Sequence, residues 1–378
     1  MFFGLPPGTE KSGRNGGAYP GTLKPFMRVI QVRPLLEAVF KEEAELPSRI
    51  DSIEQIRWNH CDVYRVRTEA GGYIVHVTAE SSEQLRRTRD NLDRLRPLAL
   101  AGIPRALAWR DSGGAATPGR EWATLVSTQI AGAELSRRNF NRFVWADLKE
   151  LLRQIHIMPV HSREPSGTSL PVHEPAAFAG VVEALQGLFG LLRVPLKADR
   201  IRRHLEDMSE YLERNAASFR VPPGAVHGDL NPTNIVSNRR RAGIVDWAEL
   251  ELGDYAYDLA TLKFSLDSTA PKVSSELLRE QAIEYGTGLD DHTLELRLRF
   301  FLALPSLVTA LSLPSHRSAA RAWRARTCFL HSEAQWREPL RLAGPSIGAP
   351  AAATGHEAWA VRDPLRGLAH VLAAKWTT

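Results

Sequence analysis

Two segments indicate the fold of this chain: His227-Gly228-Asp229-Leu230-Asn231-Pro232-Thr233-Asn234 and Ile244-Val245-Asp246-Trp247. Apolar residues follow Asn234 and precede Asp246, and the polar residues between them are typical of a turn, which predicts a β-hairpin. A hairpin brings the start of its first strand beside the end of its second strand. We therefore expect Asn234 and Asp246 to lie together, with Asp229 on the loop that enters the hairpin.

The side chains at this predicted hairpin suit a divalent cation. The amide oxygen of Asn234 and the carboxylate of Asp246 are hard ligands, and Mg²⁺ binds few protein oxygens and completes its shell with water and substrate phosphates. A third polar group, the carboxylate of Asp229, could accept the proton of a hydroxyl group. The three side chains together favour chemistry between a phosphate and a hydroxyl.

This arrangement resembles the catalytic loop and metal loop of the aminoglycoside phosphotransferase and choline kinase-like family, which has the protein-kinase fold. The family pattern is His-Gly-Asp, a following Asn, a short hairpin and then Ile-Asp-Trp or Ile-Asp-Phe. It usually continues as Gly-Asp and an aromatic residue with Asp-Leu-Ala, which here is Gly253-Asp254-Tyr255-Ala256-Tyr257-Asp258-Leu259-Ala260. The resemblance covers roughly residues 48–330 and is strongest over 225–262.

The resemblance implies a role for five residues of these segments. Asp229 is similar to the family's catalytic base, which orients the acceptor hydroxyl. Asn234 and Asp246 resemble its Mg²⁺ ligands. His227 resembles the histidine that supports the catalytic loop from behind, and Asp258 resembles the buried acid that fixes the same loop through its backbone amides.

Several of these residues also have simpler structural interpretations. Asp229 could be a turn residue, since Asp and Asn favour turns. Asp246 could end a strand, and Asp254 could cap the helix that follows it. For His227, and for His156 at the end of a predicted helix, a structural role is the preferred interpretation.

The resemblance implies an α+β, bilobal protein-kinase-like fold with a small β-rich N-lobe and a larger, mainly helical C-lobe. We predict a flexible leader and an N-terminal helix over 1–47, the N-lobe over 48–127, the C-lobe over 128–343, and a tail with a terminal helix over 344–378. Strands are predicted over 53–56, 63–67, 73–77, 106–109 and 122–126. Helices are predicted over 27–45, 82–95, 145–156, 178–193, 197–216, 255–268, 273–286, 290–312, 316–335 and 363–375.

The nucleotide is expected between the two lobes. The resemblance implies that Ser127, Thr128, Gln129 and Ile130 form the hinge, whose backbone pairs with adenine in this family. Alternation along the third strand puts Ile74 and His76 on one face. If that face looks into the cleft, Ile74 covers the adenine there.

The third strand departs from the usual pattern of this fold, in which a lysine or arginine contacts the phosphates and an acid on the next helix. His76 occupies that position, and Asp90 is preferred to Glu83 as the acid. Lysine is absent between Glu42 and Leu148. Three possibilities are therefore open for the cation's role: His76 takes it, an arginine of the small lobe takes it, or no residue does. His76 could equally be a structural histidine. The candidate arginines are Arg57, Arg65 and Arg67.

Composition predicts a cytoplasmic globular protein. The chain has 378 residues, of which 43% are hydrophobic and 24% charged, ordinary values for a folded protein. Cys61 and Cys328 are expected to be reduced thiols, and neither a signal peptide nor a membrane span is predicted. A net charge of +5 permits weak attraction to nucleotides without requiring nucleic acid. No oligomeric state is predicted.

The predicted function is transfer of the γ-phosphate of ATP or GTP, with Mg²⁺, to a hydroxyl of a small molecule. Aminoglycosides, other antibiotics and amino alcohols are the expected acceptors. The alternative is a nucleotide-binding pseudokinase or regulatory protein. That alternative rests on His76 and on a loop over 57–62 without glycine, where side chains would hinder the approach of backbone amides to phosphate.

Overall fold

The computed structural model describes residues 29–58, 61–78, 82–112, 122–136, 138–158, 198–219, 221, 224–269, 284–286, 288–289, 291–312 and 319–337. The predicted leader, the helices predicted over 178–193 and 363–375, most of the helix predicted over 273–286, and the tail lie outside these residues. The description below concerns the remaining parts of the chain.

An antiparallel sheet of five strands forms the N-lobe, in the order β1-β2-β3-β5-β4. All five strands were predicted, β1 to β3 from their β-branched and aromatic residues and β4 and β5 from short apolar runs on either side of a Gly-rich segment. Their bounds are β1 (Ser52–Trp58), β2 (Asp62–Thr68), β3 (Gly71–Thr78), β4 (Ala106–Ser112) and β5 (Trp122–Thr128). The register places His76 of β3 between Val63 of β2 and Leu125 of β5.

Helix α1 (Val29–Glu42) covers one face of this sheet. Its apolar side chains recur at the spacing of an amphipathic helix and are buried against the strands. The cluster includes Val32, Leu36, Val39 and Phe40 from α1 and Tyr64, Val66, Val75, Val77 and Val126 from the sheet. Since side chains alternate along a strand, Ile74 and His76 lie on the opposite face, which is the face that the prediction assigned to the cleft.

Helix α2 (Ser82–Leu95) joins the N-lobe to the C-lobe. It contacts β4 and β5 on one side and the turn Trp247–Glu249 of the C-lobe on the other. Leu92 and Leu95 belong to the same apolar core as the C-lobe helices. The helix is therefore packed against both lobes.

The C-lobe is mainly helical, and its helices enclose the larger apolar core. The bounds are α3 (Arg142–His156), α4 (Ala198–Arg214), α5 (Ala256–Thr269), α6 (Leu294–Ser312) and α7 (Ala319–Arg337). Helix α6 packs between α5 and α7. In the described part of the chain, none of the helices is both long enough and apolar enough to cross a membrane.

Short strands position the predicted site at the edge of this lobe. Strands β8 (Ile235–Ser237) and β9 (Ala242–Ile244) form the predicted hairpin, with Ile235 opposite Ile244, and β6 (Ala133–Glu134) pairs with β8. Strand β7 (Gly224–Val226) pairs with β10 (Glu251–Gly253). This second pair brings the chain that leaves the hairpin back beside the chain that enters the His227 loop. The fold is thus bilobal and α+β, as predicted.

Candidate active site

The loop between β7 and β8 places Asp229 and Asn234 in direct contact. Asn231 caps a short 3-10 turn, Pro232–Asn234, by accepting from the Thr233 N–H. At the end of this turn the Asn234 amide donates to the Asp229 backbone carbonyl at 2.9 Å and to its carboxylate at 3.1 Å. Asn234 is buried and Asp229 is exposed. The loop therefore presents an oriented carboxylate to solvent.

The hairpin brings Asp246 to the same end as Asn234. The Val245 N–H donates to the Asn234 carbonyl at 2.9 Å, so the residue before Asp246 is tied to Asn234. Asp246 itself is exposed and has φ 66° and ψ 66°. This left-handed conformation is unfavourable for a residue with a side chain, and such strain is found preferentially at functional sites.

These two residues fit a magnesium ion by their chemistry. Both hydrogens of the Asn234 amide are used by Asp229, which leaves the amide oxygen to bind another group. In the described residues, no group of three or more His, Cys, Asp or Glu side chains could hold a metal. Mg²⁺ does not need such a group, because one carboxylate and one amide oxygen can be completed by water and phosphate oxygens.

The side chain of His227 connects the two loops. Its Nε2–H donates to the Val245 carbonyl at 3.0 Å, and its Nδ1 accepts from the Asp229 N–H at 3.2 Å. These partners assign a neutral imidazole with the proton on Nε2. The ring also packs against Trp247, with 4.7 Å between ring centroids. His227 thus holds the backbone at Asp229 and at Val245, next to Asp246.

Asp258 supports the same loop from the core. Its carboxylate accepts from the His227 N–H at 2.8 Å and from the Gly228 N–H at 3.1 Å. Burial of this fully enclosed group raises its pKa, but hydrogen bonds from His156 and the backbone outweigh burial, so the pKa of Asp258 lies below its ordinary value. The acid stays ionised and orients both amides.

A second histidine and a tyrosine extend this support, and the tyrosine was not predicted. His156, which is buried as expected, donates from Nε2 to Asp258 at 3.0 Å. Its Nδ1 contacts the Tyr285 hydroxyl. Burial raises the pKa of Tyr285 well above its ordinary value, so the hydroxyl keeps its proton and can donate to His156. His156 was noted at the end of a predicted helix, whereas nothing in the sequence around Tyr285 signals this contact.

Gly228 allows the loop to approach the segment that follows Asp246. It has φ +82°, and a Cβ there would lie 2.5 Å from the Glu249 carbonyl oxygen. Only glycine relieves both the positive φ and the close approach. Consequently Asp229 and the exposed Glu249 lie on adjacent segments.

A buried ionic cluster lies beneath these loops. The guanidinium of Arg297, which has no exposed side-chain surface, donates to Asp254 at 2.5 Å and to Asp291 at 2.7 Å. Burial alone would raise the pKa of the Asp291 carboxyl. Hydrogen bonds from Arg297 outweigh burial and lower this pKa to about 2. Asp254 also accepts from the Ala256 N–H, so it caps α5, as its simpler interpretation predicted.

Strand register gives the neighbours of Ile74 and of the arginines considered for the cation's role. Ile74 lies between Arg65 and Ser127 in the sheet, and Arg65 binds Glu54 at 2.9 Å. Arg65 therefore lies beside Ile74, on the face that also carries His76, and its role at a nucleotide stays a prediction. Arg67 is exposed. The side chain of Arg57 lies outside the described ones.

His76 contacts Cys61, with 3.7 Å between Nδ1 and Sγ. Asp90, the predicted helix acid, binds the neighbouring Arg89 at 2.6 Å and is partly exposed. Asn91, one residue further on, is buried instead. The predicted pairing of His76 with Asp90 is not among the contacts of the described residues, and the role of each at a nucleotide stays a prediction.

The predicted hinge has two of its backbone donors already engaged. Thr128 N–H donates to Arg105 at 3.0 Å, and Gln129 N–H donates to Gly72 at 3.2 Å. Ser127 and Thr128 belong to β5, so the connection between the lobes begins at Gln129, after the predicted start. Ile130 packs against β9, since a Cβ on Gly243 would lie 2.5 Å from its side chain. Contact of these residues with a base remains a prediction.

Comparison with known proteins identifies the family. The GDP complex of aminoglycoside 2'-phosphotransferase-IIIa shares the fold with a TM-score of 0.57 and 16% sequence identity, and the match covers 82% of this chain and 99% of that one. Choline kinase from Cryptosporidium parvum matches with a TM-score of 0.54 and 12% identity, over 81% of this chain and 95% of that one. Ethanolamine kinase from Plasmodium vivax matches with a TM-score of 0.54 and 13% identity, over 81% of this chain and 89% of that one. The curated proteins include no sequence that matches the chain.

These likenesses establish a kinase-like fold, as the sequence predicted. The sequence profile of the phosphotransferase enzyme family matches residues 52–301, a segment that contains the N-lobe sheet, the Asp229 loop and the Asp246 hairpin. Helix α1 and helix α7 lie outside this segment. The chain belongs to the phosphotransferase enzyme family.

Proposed function

We propose that this protein transfers the γ-phosphate of ATP or GTP to a hydroxyl group of a small cationic molecule. The observation that carries the proposal is the contact between Asn234 and Asp229 beside the left-handed Asp246. That arrangement supplies a base and two metal ligands, and catalysis of phosphoryl transfer needs mainly positioning and charge stabilisation.

Asp229 is proposed to act as the base. Its carboxylate is exposed, so an acceptor hydroxyl can reach it, and the Asn234 amide and the His227-bound backbone hold it in one orientation. In this role it aligns the hydroxyl oxygen with the phosphorus and accepts the hydroxyl proton as the bond to phosphorus forms. The leaving group is the nucleoside diphosphate.

Asn234 and Asp246 are proposed to hold Mg²⁺ through the amide oxygen and the carboxylate. When bound, the ion would offset the negative charge of the phosphates. The protein's part is to keep these two oxygens at one end of a hairpin, which the Val245 to Asn234 hydrogen bond supports.

The nucleotide is proposed to lie under the sheet face that carries Ile74 and His76, against the segment from Ser127 to Ile130. The fold neighbours leave the choice between ATP and GTP open, since one is an ATP complex and another is a GDP complex. With no charged pair between β3 and α2 in the described residues, His76 is proposed to contact phosphate as a neutral donor or as an imidazolium.

A cationic acceptor is supported by the charges around Asp229. Asp229, Asp246 and Glu249 are exposed acids on adjacent segments, and a positively charged substrate would be attracted to them. The fold neighbours include aminoglycoside phosphotransferases in complex with streptomycin and with hygromycin B, a choline kinase and an ethanolamine kinase. Amino alcohols and aminoglycosides are therefore the classes to test first.

A second candidate is a nucleotide-binding protein without transferase activity. It is favoured by the histidine at position 76, where this fold usually has a lysine or arginine, and by the binding of Asp90 to the neighbouring Arg89. Nucleotide binding without turnover is the outcome that this candidate predicts.

A nucleotide-consumption screen separates the two candidates. The protein is mixed with ATP or GTP, Mg²⁺ and a panel of amino alcohols, sugars and antibiotics, and thermal shifts with nucleotide are recorded in parallel. We expect at least one cationic acceptor to stimulate consumption. A nucleotide-dependent thermal shift with no stimulation across the panel would favour the second candidate, and no shift at all would contradict both.

A further inference from the structure

The side chain of Asn91 on α2 reaches the segment that follows Asp246. Its Nδ2 donates to the Trp247 carbonyl at 2.7 Å and to the Ala248 carbonyl at 3.4 Å. Asn91 is buried, and 156 residues separate it from Trp247 along the chain. A buried amide that joins the N-lobe helix to the metal loop is not required by either element alone.

The need for such a contact comes from the backbone of Asp246. A non-glycine residue in the left-handed region costs about 1–3 kcal/mol and persists only where its surroundings enforce it. On the N-terminal side, Val245 is held by the Asn234 carbonyl and by His227. On the C-terminal side, Trp247 donates through its indole to Ile244 at 2.9 Å. On this same C-terminal side, the distant Asn91 side chain donates hydrogen bonds to the Trp247 and Ala248 carbonyls.

The chemistry of asparagine suits this contact. Two carbonyl oxygens require a donor, which an aliphatic side chain or an ionised carboxylate cannot supply. Arg94, one turn along α2 and exposed, donates to the Asn91 amide oxygen at 3.3 Å. This hydrogen bond places the side-chain oxygen of Asn91 toward Arg94, so the NH2 group of the amide faces the Trp247 loop.

We propose that Asn91 is a positioning residue for the metal ligand Asp246. It acts through the backbone of Trp247 and Ala248, and it couples the lobe that covers the nucleotide to the loop that holds the cation. This inference rests on the proposed function, because it assigns Asp246 to the metal. Without the amide donor, the loop spends less of its time in the left-handed conformation, and the apparent cation affinity falls in proportion to the fraction of time that it remains there.

Binding of Mn²⁺, a spectroscopic substitute for Mg²⁺, tests this without turnover. The full chain is titrated with Mn²⁺ in the presence of a non-hydrolysable ATP or GTP analogue, and bound metal is measured by electron paramagnetic resonance. We expect Asn91→Leu and Asn91→Asp each to raise the half-saturating Mn²⁺ concentration about tenfold, the size expected if strain of this order is released. Analogue affinity without metal should stay unchanged.

Thr88→Val is the matched control, because Thr88 is a buried polar residue of α2 whose described hydrogen bond stays within the helix, to the Gln84 carbonyl. It should bind Mn²⁺ like the unmodified protein. Arg94→Ala keeps Asn91 but removes the group that orients it, and a twofold to threefold rise is expected, about 0.5 kcal/mol. Since Arg94 is exposed, this variant should fold even if both Asn91 variants do not.

The outcomes separate the two proposals. If the unmodified protein binds no Mn²⁺ with nucleotide, the proposed function fails. If it binds Mn²⁺ and the folded Asn91 variants bind it equally well, the positioning role is overturned. If neither Asn91 variant folds, unchanged Mn²⁺ binding by Arg94→Ala overturns it instead.

Discussion

The side-chain amide of Asn234 donates to Asp229 twice, at 2.9 Å to the backbone carbonyl and at 3.1 Å to the carboxylate. Two consequences follow from this contact. The carboxylate of Asp229 has a fixed orientation, and the amide oxygen of Asn234 is left to bind another group. One pair of residues thereby links the proposed base to the proposed metal site.

Replacement of that carboxylate tests the assignment of the base. We expect Asp229→Asn to lower kcat about a hundredfold or more, because an amide cannot accept the hydroxyl proton, while nucleotide binding measured by thermal shift persists. Asp93→Asn, which changes an exposed acid of α2, is the control for loss of charge and should keep full activity. Unimpaired turnover in Asp229→Asn would rule out this base.

His227 is expected to act through its hydrogen bonds and not through its ring packing. His227→Phe keeps an aromatic ring beside Trp247 but removes the bonds to Val245 and Asp229. Because misplacement of a base by about 1 Å can cost a hundredfold, we expect a fall in kcat of at least about tenfold with little change in the KM for nucleotide. Steady-state kinetics measure both. His227→Gln should restore part of kcat, and equal kcat in all three proteins would refute the prediction.

The phosphate-binding role of His76 can be tested by two substitutions. If His76 contacts phosphate, His76→Leu should raise the KM for nucleotide about tenfold, and His76→Lys should restore or improve it, since a charged donor binds phosphate more strongly than a neutral one. Kinetics over a range of nucleotide concentrations give these values. A KM that is the same in all three proteins would indicate that His76 is a structural histidine.

Asp291 is expected to make the stability of the C-lobe depend on pH. Its pKa falls from an ordinary 3.8 to about 2 in the folded protein, since hydrogen bonds from Arg297 outweigh burial. A carboxyl group whose pKa is lower in the folded protein than in the unfolded chain stabilises the fold fully at pH values above its pKa in the unfolded chain. This stabilisation is lost as the pH falls through its pKa in the folded protein. The size of this pKa shift corresponds to a contribution of about 2 kcal/mol to the free energy of unfolding.

Urea unfolding of the unmodified protein and of Asp291→Asn measures this contribution. At pH 6 the variant should be less stable, and the difference between the two proteins should shrink as pH falls from about 4 to about 2. A difference that stays constant over that window would show that Asp291 is not held ionised by Arg297.

The hairpin and the N-lobe strands were predictable because their signals are local. Asn234 and Asp246 flank a short apolar, polar, apolar pattern, and the strands around His76 alternate clearly. Tyr285 could not be predicted, because its contact with His156 joins residues 129 apart and depends on how α3 packs against a distant segment.

The contact of Asn91 with the Trp247 loop was not predicted for a different reason. Adjacent residues on a helix point about 100° apart, and the apolar spacing of Leu85, Leu92 and Leu95 indicates that position 91 faces inward. Which segment the buried amide meets depends on how the two lobes pack, and that packing joins residues 156 apart in the chain.

The central claim is that one divalent cation lies between Asn234 and Asp246, facing Asp229. A crystal of the protein grown with Mn²⁺ and a non-hydrolysable nucleotide tests it directly through the anomalous signal of manganese. The account predicts a peak bound, at about 2.0–2.2 Å as for small divalent cations, to the Asn234 amide oxygen and the Asp246 carboxylate. A peak that contacts neither residue, in a crystal with nucleotide bound, would contradict the account.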